Sequence, residues 1–279
     1  MRRIYTFIVT LAASLAFASA QPSIVKNALK STFKLTSYDV DGNTLATSYG
    51  VFVDNDGTAI GTWTTLANAD HATATDCNGI EHEVKAICGV NELYDVCKFK
   101  VKAQRTTAAT LPTADLPKGS RLWLADAEGQ KIMPAQFDIE REETFMDKYK
   151  YYVFAINQQS GKSGYPFVNN AGQVIALLHP NKASLFTQAV DARFINSLGV
   201  EAIAINSSLY SKTNIRIDLP SNKKDALLML MLAVDQNNKP KYLGYTEDFI
   251  SKFPREIDGY SANALENVAA GNFQKADEP

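Results

Sequence analysis

The sequence predicts a mainly β domain followed by a short α-helical segment. Two observations carry this prediction: residues 29–190 contain many short strand-like runs separated by turn signals, and strong helix formers dominate only after about Asp191. Short strands bounded by Asp-Gly, Asn-Gly and Pro are typical of an all-β sandwich or barrel. The first strands are Ser31–Tyr38, before Asp41-Gly42-Asn43, and Ser48–Val53, before Asn55-Asp56-Gly57.

Five more strands follow the same pattern along the chain. They are predicted at His82–Cys88, Val96–Val101, Arg121–Ala125, Tyr151–Ala155 and Val174–Leu178. A boundary then separates a β domain, residues 21–203, from a helical segment, residues 204–279. The predicted helices are a short one at Asp191–Ser197, then Asn222–Gln236 with Ser221 as its N-cap, Tyr242–Phe253 ended by Pro254, Ile257–Ala270, and one starting at Phe273.

The first 20 residues have the pattern of a signal peptide. Arg2 and Arg3 supply positive charge, Ile4–Phe17 is almost entirely apolar, and Ala18-Ser19-Ala20 suits signal peptidase. The apolar run is shorter than the ~20 residues that a membrane-spanning helix needs. We therefore expect a mature chain that starts at Gln21, is exported to the periplasm or the extracellular space, and has no membrane contact after cleavage.

Charge and cysteine content exclude several classes of function. Lys and Arg number 28 against 30 Asp and Glu, a balance that does not favour binding to nucleic acid or to an anionic membrane. The three cysteines, Cys77, Cys88 and Cys97, match no zinc spacing, and no metal or cofactor is expected. They are either buried free thiols or include a Cys77–Cys88 bridge that leaves one thiol over.

The carboxy-terminal end resembles a tetratricopeptide repeat. Pro254, Tyr260, Gly271, Phe273 and Ala276 fall in register with that family's pattern of two helices and a tight turn. Such repeats usually bind proteins and are stable only when stacked. The resemblance therefore implies a protein partner. It also implies either that the chain is a fragment of a longer protein or that its last helices pack on the β domain.

The segment "GKSGYPFVNNAGQVIAL", Gly161–Leu177, resembles the nucleophile loop and following strands of trypsin-like serine proteases. The bacterial branch that includes the periplasmic heat-shock proteases is the most similar, and the resemblance spans Ser31–Leu198. It implies two six-stranded antiparallel β-barrels, Ser163 in the nucleophile position, and an oxyanion hole from the N–H groups of Gly161 and Ser163. Lys162 and Tyr165 depart from the pattern, which has Asp or Asn and Gly there.

Two further blocks complete the order His, Asp, Ser that this fold uses. "YDVCKFKV", Tyr94–Val101, resembles the strand whose aspartate orients the catalytic histidine, which places Asp95 in that position. "SYGVFVDNDGTAIGTWTTLANA", Ser48–Ala69, resembles the strands that lead into the histidine, but the histidine position falls on Thr64. A shift of one residue gives Trp63 or Thr65, and neither is histidine.

Threonine does not substitute for the missing base. Its hydroxyl accepts no proton near neutral pH, so it cannot relay one from the serine to the leaving amine. Without that relay only ~10³–10⁴-fold catalysis over water remains. The sequence therefore predicts a proteolytically inactive homologue.

Other residues could supply a base only by unusual geometry. His71 lies in a predicted loop, and His82 shares a strand face with Val84 and Ala86, packed against the barrel. Lys162 adjoins Ser163 in a tight loop, where neighbouring side chains point apart. His179 follows "VIALL", near a strand where some glutamate-specific relatives carry a substrate-reading histidine, so it is a candidate substrate-binding residue.

Three functions are consistent with these residues. The first is an inactive protease homologue that binds a peptide or protein, or acts as a scaffold beside helical repeats. The second is an active serine endopeptidase with Ser163 as nucleophile and a non-standard base. The third is a structural envelope protein whose cleft is filled by Tyr165 and Trp63.

Overall fold

The computed structural model of the protein describes residues 23–117, 119–125, 127–128, 131–132, 135–155, 163–179, 186–234 and 239–276. The predicted signal peptide, residues 1–20, lies outside these ranges. Fifteen strands are described, in the order β1 Thr32–Tyr38, β2 Thr44–Phe52, β3 Thr58–Thr62, β4 His71–Thr75, β5 Glu81–Asn91, β6 Val96–Val101, β7 Arg121–Leu124, β8 Ala127–Glu128, β9 Lys131–Ile132, β10 Ala135–Asp138, β11 Arg141–Phe145, β12 Tyr149–Phe154, β13 Pro166–Val168, β14 Val174–His179 and β15 Thr187–Asp191.

The first six strands close into an antiparallel barrel, which we call the first lobe. Its strand order is β1-β2-β3-β6-β5-β4, and pairing of β4 with β1 closes the ring. The apolar side chains of β1 and β6 point inward, with the ring of Phe33 packed against Phe52 and Phe99. This lobe confirms the predicted mainly β fold with a closed six-stranded barrel.

The second lobe differs from the predicted closed barrel. It is a curled seven-stranded sheet in the order β10-β7-β13-β14-β15-β12-β11, and β10 and β11 remain its edges in the described part of the chain. The edge strand β11 begins Arg141-Glu142-Glu143, and all three residues are exposed. Charged side chains on both faces keep a strand from pairing further, so the sheet stays open at this edge.

The two lobes are joined by a shared apolar cluster. Val51, Ile60 and Val96 of the first lobe pack with Leu177 and Val190 of the second, all of them buried. A helix at residues 23–29, α1, adds Val25 and Ala28 to the same cluster. The region between the lobes is therefore held by the burial of apolar surface, and side chains at the strand ends there are held in place.

One type of turn is repeated in four hairpins. Asp39, Asp54, Asp76 and Asn169 each accept, at a side-chain oxygen, hydrogen bonds from the backbone N–H groups two and four residues ahead, at 2.8–3.0 Å. A glycine with positive φ stands three residues after each of them, at Gly42, Gly57, Gly79 and Gly172. Asp and Asn favour such turns because their short side chains mimic a backbone acceptor, and glycine adopts the left-handed conformation without strain.

These turns predict part of the acid sensitivity of the fold. Burial would raise the pKa of Asp76, but hydrogen bonds from Ile80, Asn78 and His82 outweigh burial and lower this pKa. Burial also acts to raise the pKa of Asp54, and hydrogen bonds from Thr58 and Asp56 outweigh it, so this pKa is lowered as well. A lowered folded-state pKa stabilises the protein above the ordinary value of about 3.9, and this stabilisation is lost as pH falls through the folded-state pKa.

We expect an Asp54→Asn/Asp76→Asn variant to lose less thermal stability than the wild type between pH 5 and pH 2. The amide keeps the turn, as Asn169 does in the fourth hairpin, but it has no proton to gain. Circular dichroism melts across this pH range measure the difference, expected at roughly a few degrees. Parallel pH profiles for the two proteins would contradict the prediction.

The carboxy-terminal part is helical, as predicted, with shifted boundaries. The α-helices after the short α2, Trp63–Leu66, are α3 Lys223–Val234, α4 Lys239–Lys252, α5 Ile257–Ala269 and α6 Phe273–Ala276. The predicted helix at Asp191–Ser197 is a 3₁₀ turn, Ala192–Ser197. The predicted N-cap Ser221 is wrong, because Asn222 Oδ1 accepts the N–H of Lys224 at 2.8 Å. Asparagine is among the best N-caps.

None of the helices described is long and apolar enough to cross a bilayer.

Helices α3 and α4 pack against the first lobe. Met229, Leu230, Tyr245 and Phe249 are buried in the same apolar cluster as the barrel residue Phe99. The contact joins the first two carboxy-terminal helices to the β domain, whereas the expectation concerned the last helices, α5 and α6. The predicted boundary between residues 203 and 204, which remains a prediction, falls inside a 3₁₀ helix, Ala202–Asn206.

Charged groups fix the same contact. Asp248 of α4 lies 2.7 Å from Arg216 and 3.1 Å from Lys85 of β5, and Ile217 forms a parallel bridge with Ile87. Because three segments distant in sequence converge on Asp248, the helices are oriented as well as buried against the barrel.

Helices α5 and α6 form a helix pair farther from the barrel. Gly271, with φ +76°, makes the turn between them, and Tyr260 donates from its hydroxyl to the carbonyl of Pro254 at 3.1 Å. Ile257, Leu265 and Phe273 are exposed, each by more than 60%. The predicted helix–turn–helix is therefore present, with an apolar surface that the described residues leave uncovered.

Candidate active site

The predicted triad positions lie at the ends of strands beside the junction of the lobes. Thr64 belongs to α2, the helical turn that directly follows β3, and Asp95 ends the turn that leads into β6. Since β3 pairs with β6, with Thr62 opposite Val96, these two residues emerge side by side. Ser163 stands in the turn before β13 of the second lobe.

Thr64 is bound to Asp95 through two hydrogen bonds. Its backbone N–H and its hydroxyl both donate to Asp95 Oδ1, at 2.6 and 2.7 Å. Asp95 has φ +50°, and its carbonyl accepts the N–H of Trp63 at 3.3 Å. Aspartate tolerates this left-handed conformation better than most residues. Hydrogen bonds therefore join the turn at Asp95 to the helical turn α2 at both its carbonyl and its carboxylate. The single hydroxyl proton of Thr64 is used in the hydrogen bond to that carboxylate.

The loop of Ser163 is attached to both lobes by its backbone. The carbonyl of Ser163 accepts the N–H of Tyr49 in β2 at 2.8 Å, and the N–H of Gly164 donates to the carbonyl of Leu178 in β14 at 2.7 Å. Ser163 itself is half-buried. Gly161 and Lys162 lie outside the described residues, so the predicted oxyanion hole has only its Ser163 half placed.

Three hydroxyls buried beneath Thr64 were not anticipated from the sequence. The oxygens of Ser48, Thr62 and Thr65 lie 2.8 Å from one another, and all three residues are buried. Ser48 precedes Tyr49, which binds the Ser163 loop, and Thr65 follows Thr64. The cluster thus ties the two halves of the candidate site together through β2. The pairing of β2 with β3 is the one feature from which this cluster could have been predicted. The sequence does not reveal the register of that pairing.

His179 is held by a tyrosine that the sequence did not single out. Its Nδ1 lies 3.3 Å from the hydroxyl of Tyr151, which donates to Gln188 Oε1 at 2.9 Å. Burial, with smaller effects from Glu143 and other nearby groups, raises the pKa of Tyr151 to about 12, so the phenol keeps its proton. With that proton on Gln188, the contact between Tyr151 and His179 is a hydrogen bond if Nδ1 carries a proton, and the neutral imidazole then has Nε2 as its acceptor.

A small cavity lies between His179 and Asp95. It has a volume of about 10 Å³ and is lined by Asp95, Tyr94, His179 and Leu177, among others. That space suits at most one water molecule. His179 therefore faces the first lobe at the level of Asp95 and does not line a pocket of substrate size here.

The other two histidines have structural contacts. The prediction that His71 lies in a loop is wrong, because His71 is the first residue of strand β4. Its backbone pairs with Tyr38, and its ring stacks on the ring of Tyr38 at 5.0 Å. His82 lies 3.3 Å from Asp76 and meets the ring of Phe52 edge-on. Its packing against the barrel agrees with the prediction.

The cysteines are not bridged. Cys77 is exposed, Cys88 is half-buried and Cys97 is buried, each as a free thiol. Burial, followed by the charge of Asp218, raises the pKa of Cys88 to about 12. A thiol with that pKa is not a nucleophile near neutral pH, which excludes Cys88 from chemistry at the candidate site.

Trp63 and Tyr165 do not share one cleft. Trp63 is buried in the core of the first lobe, with the helices, whereas Tyr165 packs in the core of the second. The ring of Tyr165 stacks on Tyr49 at 4.0 Å and lines a separate, larger cavity of about 530 Å³. The expectation that both residues fill a single cleft is wrong.

Comparisons with known proteins give no assignment. No protein-family model matches the chain, and no curated protein sequence resembles it significantly. Among the residues that the structure describes, no group of three or more His, Cys, Asp and Glu side chains is arranged to hold a metal ion.

Proposed function

We propose that the chain is an exported homologue of trypsin-like serine proteases that no longer cleaves peptides and instead binds a peptide or protein in the region between its lobes. One observation carries the proposal: the hydroxyl and the N–H of Thr64 satisfy Asp95 Oδ1 at 2.7 and 2.6 Å. A closed six-stranded barrel beside a curled seven-stranded sheet is compatible with the fold of these proteases.

The chemistry of the Thr64–Asp95 pair supports this reading. In the protease triad an aspartate accepts a hydrogen bond from an imidazole N–H, and the second ring nitrogen accepts the proton of the serine. A threonine hydroxyl has a single proton, with which it donates a hydrogen bond to Asp95, and its neutral oxygen is too weak a base to activate Ser163. A serine without a base stays in its neutral, unreactive form.

A fluorophosphonate probe tests the proposal, because it reacts only with activated serines. The wild type and a Ser163→Ala variant are expected to show the same background labelling, while trypsin in a parallel reaction is labelled fully. Labelling of the wild type that is lost in Ser163→Ala would mean that the site is active.

A second candidate function, an active serine endopeptidase with a non-standard base, is favoured by the setting of His179. With a proton on Nδ1, which faces Tyr151, the neutral imidazole has Nε2 as its acceptor, and His179 follows Leu178, whose carbonyl binds Gly164 of the serine loop. This resembles a base oriented by a third group.

His179→Gln separates the two functions. Under the proposed function this change leaves probe labelling and peptidase activity at background, because no proton relay is lost. If His179 were the base, labelling of the wild type would be measurable and the variant would lose at least about 10²-fold. Tyr151→Phe serves as the control, since it removes the partner of Nδ1 and keeps the imidazole.

The helix pair extends the proposal to a partner. Helices α5 and α6 would act as a tetratricopeptide-like surface, since Ile257, Leu265 and Phe273 leave apolar area exposed and exposed apolar patches often mark interaction sites. Residues 1–20 would direct the chain out of the cytoplasm. A cleavage product that starts at Gln21, identified by amino-terminal sequencing of the exported protein, tests the second statement.

A further inference from the structure

A cavity of ligand size lies outside the triad positions. It has a volume of about 530 Å³ and is bounded by α1, the start of β1, Tyr49 of β2 and the turn that contains Asp76. This volume is within the range of ligand sites in proteins, about 300–1,000 Å³. We call it the lysine cavity, for the three lysines that line it.

The rim of the lysine cavity carries uncompensated positive charge. Lys26, Lys30 and Lys34 line it and are exposed, and none of them forms an ion pair with any described residue. The one carboxylate in the lining is that of Asp76, which is engaged by the N–H groups of Asn78 and Ile80. Three free ammonium groups therefore gather on a protein whose formal net charge is −2.

The walls of the cavity are apolar and aromatic. Phe33 and Tyr165 belong to the lining but are almost fully buried, so the accessible aromatic wall is the half-buried Tyr49, whose ring stacks on that of Tyr165 at 4.0 Å. Leu29 of α1 completes the apolar lining. A ligand that suits this surface carries negative charges at its edge and aromatic or aliphatic groups that reach the walls.

The cavity adjoins the serine loop. Tyr49, in its wall, donates its N–H to the carbonyl of Ser163, and Tyr165 stands two residues after that serine. A chain that passes the candidate site would therefore present neighbouring side chains to the lysines. Several separated ammonium groups around an apolar recess match a chain with repeated carboxylates better than a single small anion.

We propose that the lysine cavity binds an acidic peptide segment in which Asp or Glu residues alternate with aromatic or large aliphatic ones. The lysines contact the carboxylates, and the walls formed by Tyr49 and Leu29 receive the apolar side chains. The inference deepens the proposed function by naming the class of peptide. It adds binding determinants that the protease resemblance does not supply.

Fluorescence anisotropy with a labelled Glu-Phe-Glu-Phe-Glu-Phe peptide tests the inference. We expect saturable binding that weakens between about 30 and 300 mM NaCl, because the lysines are exposed and salt screens them. A Lys26→Gln/Lys30→Gln/Lys34→Gln variant should weaken binding about tenfold, since each exposed charge pair contributes a factor of roughly two to three. Peptides with Gln in place of Glu, or with Ala in place of Phe, should bind the wild-type protein at least about tenfold more weakly than the Glu-Phe peptide does.

Two matched variants complete the test. Lys100→Gln/Lys102→Gln/Lys224→Gln removes three exposed lysines elsewhere on the protein and should leave the affinity unchanged. Reversal of all three cavity lysines to Glu should abolish binding of the acidic peptide and create binding of Lys-Phe-Lys-Phe-Lys-Phe. Circular dichroism checks that each variant is folded.

The inference is overturned by any of four results: no peptide binding, equal binding of the Gln peptide, equal losses in the cavity and control variants, or lysine-dependent binding of phosphatidylglycerol vesicles or inorganic phosphate alone. Its failure is distinguishable from failure of the proposed function. The latter is judged by fluorophosphonate labelling of Ser163, which does not depend on the three lysines.

Discussion

The Thr64→His variant is expected to react with a fluorophosphonate at Ser163 at least about 10²-fold faster than the wild type. General-base assistance by a positioned histidine contributes 10²–10⁴-fold in enzymes. The carboxylate is already in place for it, because Asp95 Oδ1 receives the backbone N–H of residue 64 at 2.6 Å. An imidazole at this position would give its Nδ1–H to the same carboxylate and turn Nε2 toward the second lobe.

Three controls make the Thr64→His result specific. Thr64→Gln adds a polar side chain without a base and should stay at the wild-type rate. Thr64→His/Ser163→Ala should lose labelling, which places the reaction on Ser163. Thr64→His/Asp95→Asn should lose most of the gain, because an amide does not stabilise the imidazolium.

Absence of a gain in a folded Thr64→His variant would contradict the prediction. The serine loop would then be unsuited to catalysis for reasons beyond the missing base. Lys162 and Tyr165 would be the first residues to change, since both depart from the protease pattern.

Gly164→Ala is expected to destabilise the protein by about 3 kcal/mol or more. Gly164 has φ +83°, which costs other residues about 1–2 kcal/mol. A Cβ at this position would also lie 1.9 Å from the carbonyl oxygen of Tyr49 and 2.6 Å from its carbonyl carbon. Neither contact is tolerable, so the serine loop and β2 would have to separate, and the bond between Ser163 and Tyr49 would be lost. Urea denaturation measures the change in the free energy of unfolding.

Gly42→Ala is the matched control for Gly164→Ala. Gly42 has nearly the same φ, +81°, but a Cβ there meets no atom within 4 Å. It should therefore cost only the ~1 kcal/mol of the left-handed conformation. Equal losses for the two variants would show that the close approach of Tyr49 is relaxed in solution.

Local signals predicted the first turns and seven of the fifteen strands, and long-range contacts limited the rest. The Asp-Gly turns at Asp41-Gly42 and Asp56-Gly57 form as expected because their hydrogen bonds join residues at most four apart. The open edge at β11 and the packing of α3 on the barrel depend on partners far along the chain. Hydrophobic patterning does not encode which partner an apolar face meets.

The candidate site shows the same division. The resemblance put Thr64 and Asp95 at neighbouring positions, and the structure joins them by two hydrogen bonds. The three-hydroxyl cluster beneath them and the Tyr151–His179 contact escaped prediction, because each requires the register of two strands. The sequence therefore identified which residues occupy the triad positions, but it did not identify the neighbouring side chains that hold them in place.

Helices α3 and α4 pack on the first lobe. The residues of the candidate site therefore lie in two regions that differ in their resistance to local unfolding. Thr64 and Asp95 belong to the lobe whose core continues into α3 and α4, so they open only when a large cooperative unit opens. Ser163 precedes β13 of the seven-stranded sheet, whose outer strands β10 and β11 pair on one side only among the described residues, and whose core does not continue into α3 and α4. Fluctuations of that sheet would move the serine loop relative to Thr64 and Asp95 only as far as the hydrogen bond from the Tyr49 N–H of the first lobe to the Ser163 carbonyl allows.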